Sequence, residues 1–408
     1  MRLVAENPVN LTFLYGYLNL SFWGYVIATA IMVQISIFCV TVYLHRDAAH
    51  RSVDLHPAIR HFARLWIWMS SSMITKEWVA VHRKHHARCE TIDDPHSPVI
   101  FGIKKVLLQG AELYQVQSRN PETLEKFGRG TPDDWLERNL YSAHRNWGVI
   151  ALAIIDMMIF GVPAIIIFAI QMLTFPVLAA GVINGLGHYF GYRNFECPDA
   201  STNVSPWGLI VGGEELHNNH HAFPSSAKFS IRPWEVDAGW GAIRILSLFG
   251  LAKVARVAPT PLRSTGKSLD QQHIDLETVR AIIINRMHVV RDYTRTVMLP
   301  VLRAELAVAG DKLGAGMRKL LVRESSLLDE QAKSRLARAL EQNKTLQTVH
   351  EFRAKLQLMW NGSHMSNETL LQHLKEWIAQ AEASGIKALQ DFAIALRSYA
   401  PQPALVRA

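Results

Sequence analysis

Residues Trp147–Tyr192 read WGVIALAIIDMMIFGVPAIIIFAIQMLTFPVLAAGVINGLGHYFGY, and this apolar block sets the architecture. A helix needs roughly 20 residues to cross the hydrocarbon core of a bilayer, so the block is long enough for two helices. Pro176, close to Thr174, predicts a turn between two antiparallel spans, about Val149 to Leu173 and Phe175 to Tyr192. Such a hairpin returns the chain to the side of the membrane on which it began.

A second apolar run, from Leu11 to Leu44, precedes this hairpin and is almost free of charged residues. It predicts at least one transmembrane helix, most clearly from Phe22 to Leu44. Residues 1–10 are polar and lack the basic start and the cleavage site of a secretory signal, so we expect the run to be retained. Basic residues follow it and place this end of the helix in the cytoplasm. They are Arg46, Arg51, Arg60 and Arg64.

A helix lying in the membrane interface is predicted between Ala58 and Ile74. Its apolar residues recur at helical spacing, opposite Arg60, Arg64 and Ser71, which is typical of an interfacial helix. Further short interfacial helices are predicted from Gly208 to Leu251. The first part of the chain is therefore an all-α integral-membrane domain, with about three to four transmembrane helices, interfacial helices and a cytoplasmic cap that carries histidines.

The composition of the chain is compatible with a membrane protein. It has 408 residues, a hydrophobic fraction of 49% and a formal net charge of +8. The positive charge suits nucleic acid or an anionic membrane surface, and the apolar spans favour the membrane. Cys39, Cys89 and Cys197 are widely spaced and indicate neither a disulfide scaffold nor a zinc ribbon.

The character of the sequence changes near Ala258. A polar linker is predicted at 258–267, between a membrane domain at 1–257 and a C-terminal domain at 268–408. Apolar residues at helical spacing predict that the C-terminal domain is a soluble α-helical bundle. They include Leu340, Leu346, Val349, Phe352, Leu356, Leu370, Leu374, Ile378 and Ala381.

The chemistry is concentrated in histidine, because nine of the 18 histidines fall into four short segments. Each segment adjoins an apolar stretch, and the hairpin brings all four to one side of the membrane, as a shared metal site requires. The segments are His45-Arg-Asp-Ala-Ala-His50, His82-Arg-Lys-His85-His86, Asn184-Gly-Leu-Gly-His188 and His217-Asn-Asn-His220-His221.

The spacing of these histidines favours metal binding. In a helix, His-x-x-His-His places three imidazoles on one face, so each such segment can aim several rings at one point. His45 and His50 are five residues apart, which a regular helix separates by well over a quarter turn. We expect the helix to end or unwind there. Neutral imidazole binds iron, zinc, copper and nickel, and nine rings exceed what one ion holds. Two metal ions are therefore predicted.

The remaining histidines are expected to have ordinary structural roles, with one exception. His96, in Asp93-Asp94-Pro95-His96, has two interpretations, as a partner of a metal ligand or as a substrate contact, and it is not included among the ligands. The histidines with expected structural roles are His56, His61, His144, His273, His288, His350, His364 and His373.

The order HxxxxH, HxxHH, NxxxH and HxxHH, with the hairpin between the second and third segments, resembles the membrane fatty acid desaturase family, specifically its acyl-CoA Δ9 branch. Glu77-Trp78, Asp93-Asp94-Pro95-His96-Ser97-Pro98 and Gly212-Gly213-Glu214-Glu215-Leu216 strengthen the resemblance, which covers about residues 20–257. It implies two iron ions (Fe2+) and a metal-bound water held by Asn184. The implied iron ligands are His45, His50, His82, His85, His86, His188, His217, His220 and His221.

The resemblance implies an O2-dependent desaturase that introduces a cis double bond, at the Δ9 position, into a saturated long-chain acyl-CoA or acyl lipid. An unactivated methylene offers acids, bases and nucleophiles no polarised bond, so a metal and O2 must supply the oxidant. Iron fits this role because zinc has no redox chemistry.

Two other functions stay open: a membrane di-iron hydroxylase, which differs in product, and a non-catalytic metal-binding scaffold, which would lack ligands. A soluble carboxylate di-iron bundle is disfavoured, because it needs two Glu-x-x-His motifs and only Glu214 to His217 is found.

The expected partners are O2, the acyl substrate and a separate electron donor, a ferredoxin or similar protein with its reductase. The sequence has no haem-attachment motif, no ferredoxin cysteine pattern and no GxGxxG after a strand. The bacterial inner membrane is the expected location, with the histidine segments and the C-terminal domain in the cytoplasm; nucleic acid is not an expected partner. Some basic residues either anchor CoA phosphates or lipid head groups or are ordinary positive-inside charges. They are Arg83, Lys84, Arg88 and Arg193.

Two features depart from a simple desaturase. Asp47 and Ala48 stand where the family commonly has an aromatic or aliphatic residue and then a small one; Asp47 is either a hydrogen-bonded partner of a ligating imidazole or a solvated charge. The segment from Leu346 through Ala381 to Phe392 resembles the helical tail of some bacterial desaturases and of ISL3-type transposases. No acidic catalytic triad can be assigned to it, so we expect an interaction or packing module.

Overall fold

The structure is a computed structural model whose contacts form two compact units. The first unit comprises residues 12–193 and 200–258, and the second comprises residues 194–199 and the described residues after 258. The polar segment 1–10 and the expected linker residues 265–267 lie outside the described residues. The structure describes residues 12–264, 274–309, 316–361 and 365–400.

Helices form most of the first unit, and loops and short strands connect them. Its α-helices are α1 (Thr12–Tyr15), α2 (Phe22–Phe38), α3 (Pro57–Ser71), α4 (Thr75–Arg88), α5 (Pro98–Phe101), α6 (Ile103–Ser118), α7 (Pro121–Phe127), α8 (Trp147–Phe160), α9 (Ala164–Thr174), α10 (His217–Ala222) and α11 (Ala238–Leu248). Its π-helical segments are π1 (Cys39–Ala49), π2 (Glu137–Ser142) and π3 (Phe175–Leu186). Strand β1 (Val53–Leu55) pairs antiparallel with β4 (Ala252–Val254), and β2 (Trp207–Gly208) pairs parallel with β3 (Val236–Asp237).

The second unit is a helical bundle, as predicted. Its helices are α12 (Leu276–Ile284), α13 (Arg286–Tyr293), π4 (Thr294–Met298), α14 (Leu299–Ala309), α15 (Met317–Val322), a 3-10 turn (Ser325–Leu327), α16 (Glu330–Glu341), α17 (Lys344–Asn361), α18 (Asn367–Ala383) and α19 (Lys387–Arg397). Strand β5 (Leu262–Arg263) pairs antiparallel with β6 (Tyr399–Ala400). The predicted apolar stripes of α17 and α18 lie in its core, around the buried Tyr293 and Phe392. The all-α prediction is confirmed.

The first long helix widens and ends within the first histidine segment, as the sequence predicted: its π-helical part, π1, ends at Ala49, and His50 caps it. It begins after Ser21, whose hydroxyl accepts from the Gly24 N–H, and α2 continues directly into π1. In a π-helix the backbone N–H bonds five residues back, and the His50 N–H donates to the His45 carbonyl over 3.0 Å. The wider turn therefore brings His45 and His50 one hydrogen-bonded turn apart, on the same side of the helix.

The apolar hairpin turns at 161–163, earlier in the chain than the turn predicted at Pro176. Helix α8 ends at Phe160, Gly161 adopts a left-handed φ of 66°, and α9 follows Pro163. Glycine accepts this backbone conformation without a Cβ clash. The predicted turn at Pro176 is wrong, because α9 continues directly into π3 there. The backbone hydrogen-bond pattern changes from α to π at Phe175, next to Pro176, which has no backbone N–H to donate.

Two helical stretches are long and apolar enough to cross a membrane, Phe22–Ala49 and Ala164–Leu186. Helices α8 and α11 are apolar but shorter. The 14 residues of α8 give about 21 Å of helix, less than the roughly 30 Å of a hydrocarbon core. The interfacial helix expected near Ala58–Ile74 corresponds to α3, whose apolar face is buried at Ala63, Ile67 and Trp68.

Helix α6 packs very closely against π3, and glycine permits this approach. A Cβ added at Gly110 would lie 2.4 Å from the Ala180 carbonyl oxygen, and one at Gly181 would lie 2.9 Å from the Leu107 carbonyl oxygen. Both distances are far below van der Waals contact. The close packing places π3, which leads to His188, directly against α6.

We predict that Gly110→Ala lowers the free energy of unfolding of the first unit by about 1–3 kcal/mol, because the new methyl group overpacks the α6–π3 contact. Thermal unfolding of the detergent-purified full-length chain measures this change. Gly241→Ala in α11 is the matched control, since a Cβ there meets nothing within 4 Å. A Gly110→Ala protein that melts at the wild-type temperature would contradict the packing described here.

Candidate metal centre

Five of the predicted histidines form one group. Their ligand-capable nitrogens all lie within 4.8 Å of one another. The Nε2 atom of His220 is 3.0 Å from that of His45 and 2.9 Å from that of His86, and the Nε2 atoms of His50 and His82 are 2.8 Å apart. We call these residues the five-histidine group: His45, His50, His82, His86 and His220.

The other four predicted histidines form a second group beside the first. The Nε2 atom of His188 lies 3.1 Å from that of His85 and 3.0 Å from that of His217. His221 completes the set, and the Cys89 thiol lies 3.9 Å from the His85 Nε2 atom. Cys89 was not a sequence candidate: it follows His85 by four residues, but His188 and His221, its other metal-competent neighbours, come from distant parts of the chain. We call His85, His188, His217 and His221 the four-histidine group.

Each His-x-x-His-His segment contributes to both groups. On α4, His82 and His86 are four residues apart and point to the five-histidine group, whereas His85 points to the four-histidine group. On α10, His220 joins the former and His221 joins the latter. The spacing predicted that each segment aims several rings at one point, and the structure instead divides each segment between two neighbouring points.

The nitrogen positions fit bound metal ions. Two nitrogens about 2.1 Å from one ion and at right angles to each other are about 3 Å apart, close to the observed 2.8–3.1 Å Nε2 separations. The Nε2 atom of His220 has two such neighbours, and one ring N–H cannot satisfy both. Lone pairs that converge in this way repel each other unless a cation lies among them, so the geometry and the donor set indicate metal binding.

Buried carboxylates orient three of the rings from behind. The Nδ1 atoms of His45, His85 and His188 lie 2.8, 3.0 and 2.9 Å from oxygens of Glu214, Asp94 and Glu90, respectively. A carboxylate that accepts from Nδ1 fixes the tautomer and turns the Nε2 lone pair towards a metal. These roles were not predicted from the sequence, although Asp94 and Glu214 lie in the segments 93–98 and 212–216, which flank the histidine segments.

Burial also favours the neutral imidazoles that metal binding requires. It is the largest cause that lowers the pKa of these rings well below the usual range, and the neighbouring histidines lower it further. At neutral pH each of them therefore has a lone pair available. The rings concerned are His82, His86, His217, His220 and His221.

A cavity of about 470 Å³ borders the metal centre, within the range of small-molecule sites. His82, His96, Trp78 and Asn184 line it next to the histidine groups. A smaller cavity of about 50 Å³ shares His82, Trp78 and Asn184 with it. Apolar residues form much of the remaining wall of the larger cavity: Met73, Val81, Val149, Met172, Phe175, Pro176, Ala179 and Ala180.

His96 and Asn184 take positions that their proposed roles require. The ring of His96 stacks on that of His85, with centroids 4.5 Å apart, and it also lines the cavity. Burial lowers its pKa to about 3. Both interpretations of His96 agree with this position. Asn184 lines both cavities beside His82, and its water-holding role stays a prediction.

Several charged residues make hydrogen bonds within the first unit. The guanidinium of Arg83 donates to the carbonyls of Ala48 and Ala49 over 2.9 Å, and Lys84 donates to Gln117. Asp47 is buried, and its carboxylate accepts two hydrogen bonds from Arg60 and one from the Leu55 N–H. Its two expected roles are therefore both wrong, because Asp47 forms an internal ion pair with Arg60.

Arg88 is exposed, and Arg193 donates to the Ser201 carbonyl over 2.6 Å.

Most of the histidines expected to be structural are placed accordingly. The His56 ring accepts from the Ala58 N–H at the start of α3, and His144 stacks on Trp147. His273 and His364 lie outside the described residues.

We predict that Glu214→Gln lowers the metal affinity of the five-histidine group by about 10- to 100-fold, because the amide orients the His45 ring less well and lacks the carboxylate charge. The measurement is metal content by mass spectrometry after dialysis against graded chelator concentrations. Asp133→Asn is the matched control, since Asp133 is exposed and pairs only with Arg138 in the described structure. Equal retention of metal by both variants would contradict the role given to Glu214.

Comparison with known proteins agrees with this geometry. The profile of the fatty acid desaturase family matches residues 20–244, more than half of the chain, and a transposase family profile matches residues 277–402. The second match covers only the helical bundle and carries no conclusion about catalysis.

Individual relatives are desaturases. The chain is 30% identical to a probable chloroplastic lipid desaturase of Arabidopsis thaliana, over 58% of this chain and 65% of that protein. It is 29% identical to the sn-1 stearoyl-lipid 9-desaturase of Synechocystis sp., over 54% and 68%. It is 28% identical to an acyl-CoA 5-desaturase of Anemone leveillei, over 54% and 68%. The chain spans about two thirds of the length of these relatives, and it belongs to the fatty acid desaturase family.

Proposed function

We propose that this protein uses O2 and two electrons to introduce a cis double bond, at the Δ9 position, into a saturated long-chain acyl group. The observation that carries the proposal is the convergence of nine imidazoles into two adjacent groups at the wall of a partly apolar cavity of about 470 Å³. A saturated chain needs a strong oxidant at one point along its length, and this cavity provides space for a chain beside such a point.

We further propose that each histidine group holds one iron ion and that Asn184 holds a water bound to the metal. The structure has the nitrogen donors and the carboxylates behind them that such ions need. When bound, the iron pair supplies redox chemistry with O2 that amino-acid side chains lack. In the overall reaction, two C–H bonds of the chain and the donor together give four electrons, and O2 becomes two waters.

The side chains around the cavity have separate tasks in this proposal. Trp78, Phe175 and Ala179 lie beside the histidines and line the cavity, so they hold the acyl chain in place and keep water away. His96 lies at the same wall, stacked on His85, where it either supports that ligand or also contacts the chain. Arg119 and Arg145 also line the cavity and supply positive charge for the substrate head group.

The proposed setting is a bacterial inner membrane. We propose that Phe22–Ala49 and the α8–π3 hairpin insert into it, with the histidine groups on the cytoplasmic side. A membrane domain at 1–257, a linker at 258–267 and a C-terminal bundle at 268–408 remain our proposed division. The bundle then serves as an interaction or packing module, and a separate ferredoxin-like donor with its reductase supplies the electrons.

We predict that cells expressing the wild-type chain accumulate O2-dependent monounsaturated fatty acids and that His85→Ala abolishes them, because the four-histidine group loses a ligand. Gas chromatography with mass spectrometry of total fatty acids measures the products, and derivatised fragments locate the double bond. His61→Ala is the control, since this exposed histidine of α3 belongs to neither group.

The outcome separates the alternatives. Hydroxylated chains in place of unsaturated ones would establish the hydroxylase. Identical fatty acid profiles for the wild type and His85→Ala, with a functional redox donor supplied, would favour the non-catalytic scaffold.

A further inference from the structure

One part of the larger cavity, in which we place the acyl chain, is polar. Glu77, Tyr114, Arg119 and Arg145 line it there, and we call these four residues the polar patch. Arg145 forms an ion pair with Glu77 Oε1. The charges of Arg145 and Arg119 act on Glu77, and that of Glu77 acts on Tyr114. All four side chains line one cavity, and the ion pair holds Arg145 against Glu77.

Two atoms of the polar patch are buried and have no hydrogen-bond partner among the described residues: the Tyr114 hydroxyl and Glu77 Oε2. Leaving such an atom unpaired costs about 1–3 kcal/mol. Burial, and then the nearby Glu77, raise the pKa of Tyr114, so its hydroxyl keeps its proton and can donate. The patch thus presents one donor and one acceptor to whatever occupies the cavity.

The polar patch lies at a suitable separation from the metal centre. Glu77 and His82 belong to the same helix, α4, and five residues correspond to about 7.5 Å of rise. The wall between them includes Trp78 and Val81. A substrate whose carbonyl lies at the patch therefore places methylenes, several bonds further along its chain, beside the five-histidine group.

The hydrogen-bonding groups of the patch distinguish the possible acyl carriers. Any ester or thioester carbonyl can accept from Tyr114, but Glu77 Oε2 needs a donor. A pantetheine thioester has an amide N–H two methylenes beyond its sulfur. A glycerolipid ester has only acceptors within a few bonds of the acyl carbonyl, and it would leave the carboxylate oxygen buried and unpaired.

We propose that the acyl group reaches this site as a pantetheine thioester, such as acyl-CoA, and not as a glycerolipid ester. Tyr114 donates to the thioester carbonyl, and Glu77 accepts from the carrier amide N–H. Arg119 and Arg145 provide positive charge for the carrier phosphates. This inference rests on the proposed desaturase function and extends it to the substrate class, which the relatives leave open because they include both stearoyl-lipid and acyl-CoA desaturases.

The first test measures binding without turnover. The detergent-purified full-length protein is titrated, without reductant, with stearoyl-CoA and with octadecyl-CoA, a thioether in which a methylene replaces the carbonyl. We expect the wild type to bind the thioester about two- to tenfold more tightly, the value of one hydrogen bond. Tyr114→Phe should remove this difference, and Tyr141→Phe, a tyrosine outside the cavity wall, should keep it. A difference that survives in Tyr114→Phe overturns the assignment of Tyr114.

The second test compares carriers in turnover. The donors are stearoyl-CoA, the stearoyl thioester of N-acetylcysteamine, the stearoyl ethyl thioester, which lacks the N–H, and sn-1-stearoyl phosphatidylglycerol in nanodiscs. We expect kcat/KM to fall in this order. Glu77→Gln should reduce the preference for N-acetylcysteamine over ethyl, because a neutral amide is a weaker acceptor.

The possible failures are distinguishable. Desaturation of the phospholipid but not of the thioesters would overturn the carrier assignment and leave the desaturase function intact. Equal rates for the N-acetylcysteamine and ethyl thioesters would overturn the role of Glu77. If the wild type desaturates none of the donors, the proposed function itself fails, whereas the binding comparison still decides the role of Tyr114.

Discussion

Nine buried or half-buried imidazoles with converging lone pairs form the interaction on which the rest of this structure depends. The Nε2 atom of His188 lies about 3 Å from those of His85 and His217, and lone pairs this close repel unless a cation shares them. Carboxylates from Glu90, Asp94 and Glu214 hold three of the rings from behind, so the protein itself orients these three. The helices supply these ligands from four distant segments, and the first unit is arranged around that meeting point.

The sequence predicted the participants of this site better than their arrangement. The spacing of His82, His85 and His86 on one helix indicated ligands, and the structure brings all nine selected histidines together. Spacing alone could not show that His85 belongs with His188 and not with His82, because that choice depends on how α4 is rotated against π3. Tyr114 was missed for a related reason: it belongs to no motif, and only the fold places its hydroxyl in a cavity wall.

The fold was predictable in class and partly in detail. Apolar length identified the long helices, and helical periodicity identified the bundle. The hairpin turn was misplaced because proline was weighted above glycine, although Gly161 accepts a left-handed backbone that ends a helix and Pro176 is accommodated where the helix widens. Asp47 shows a second limit, since its partner Arg60 is 13 residues away and no local pattern reveals whether a charge is solvated or paired.

Because Cys39–Ala49 is π-helical, the number of residues between His45 and His50 decides whether both rings lie on the same side of the helix. An α-helix advances about 100° per residue, so deleting any one residue between His45 and His50 would leave a four-residue spacing that suits α-helical winding. The apolar length and the composition of the segment would hardly change. The strand that follows, Val53–Leu55, is paired to Ala252–Val254, however, and cannot shift freely to absorb a missing residue. In related chains, insertions and deletions should therefore be tolerated before Cys39 and excluded from there to Leu55.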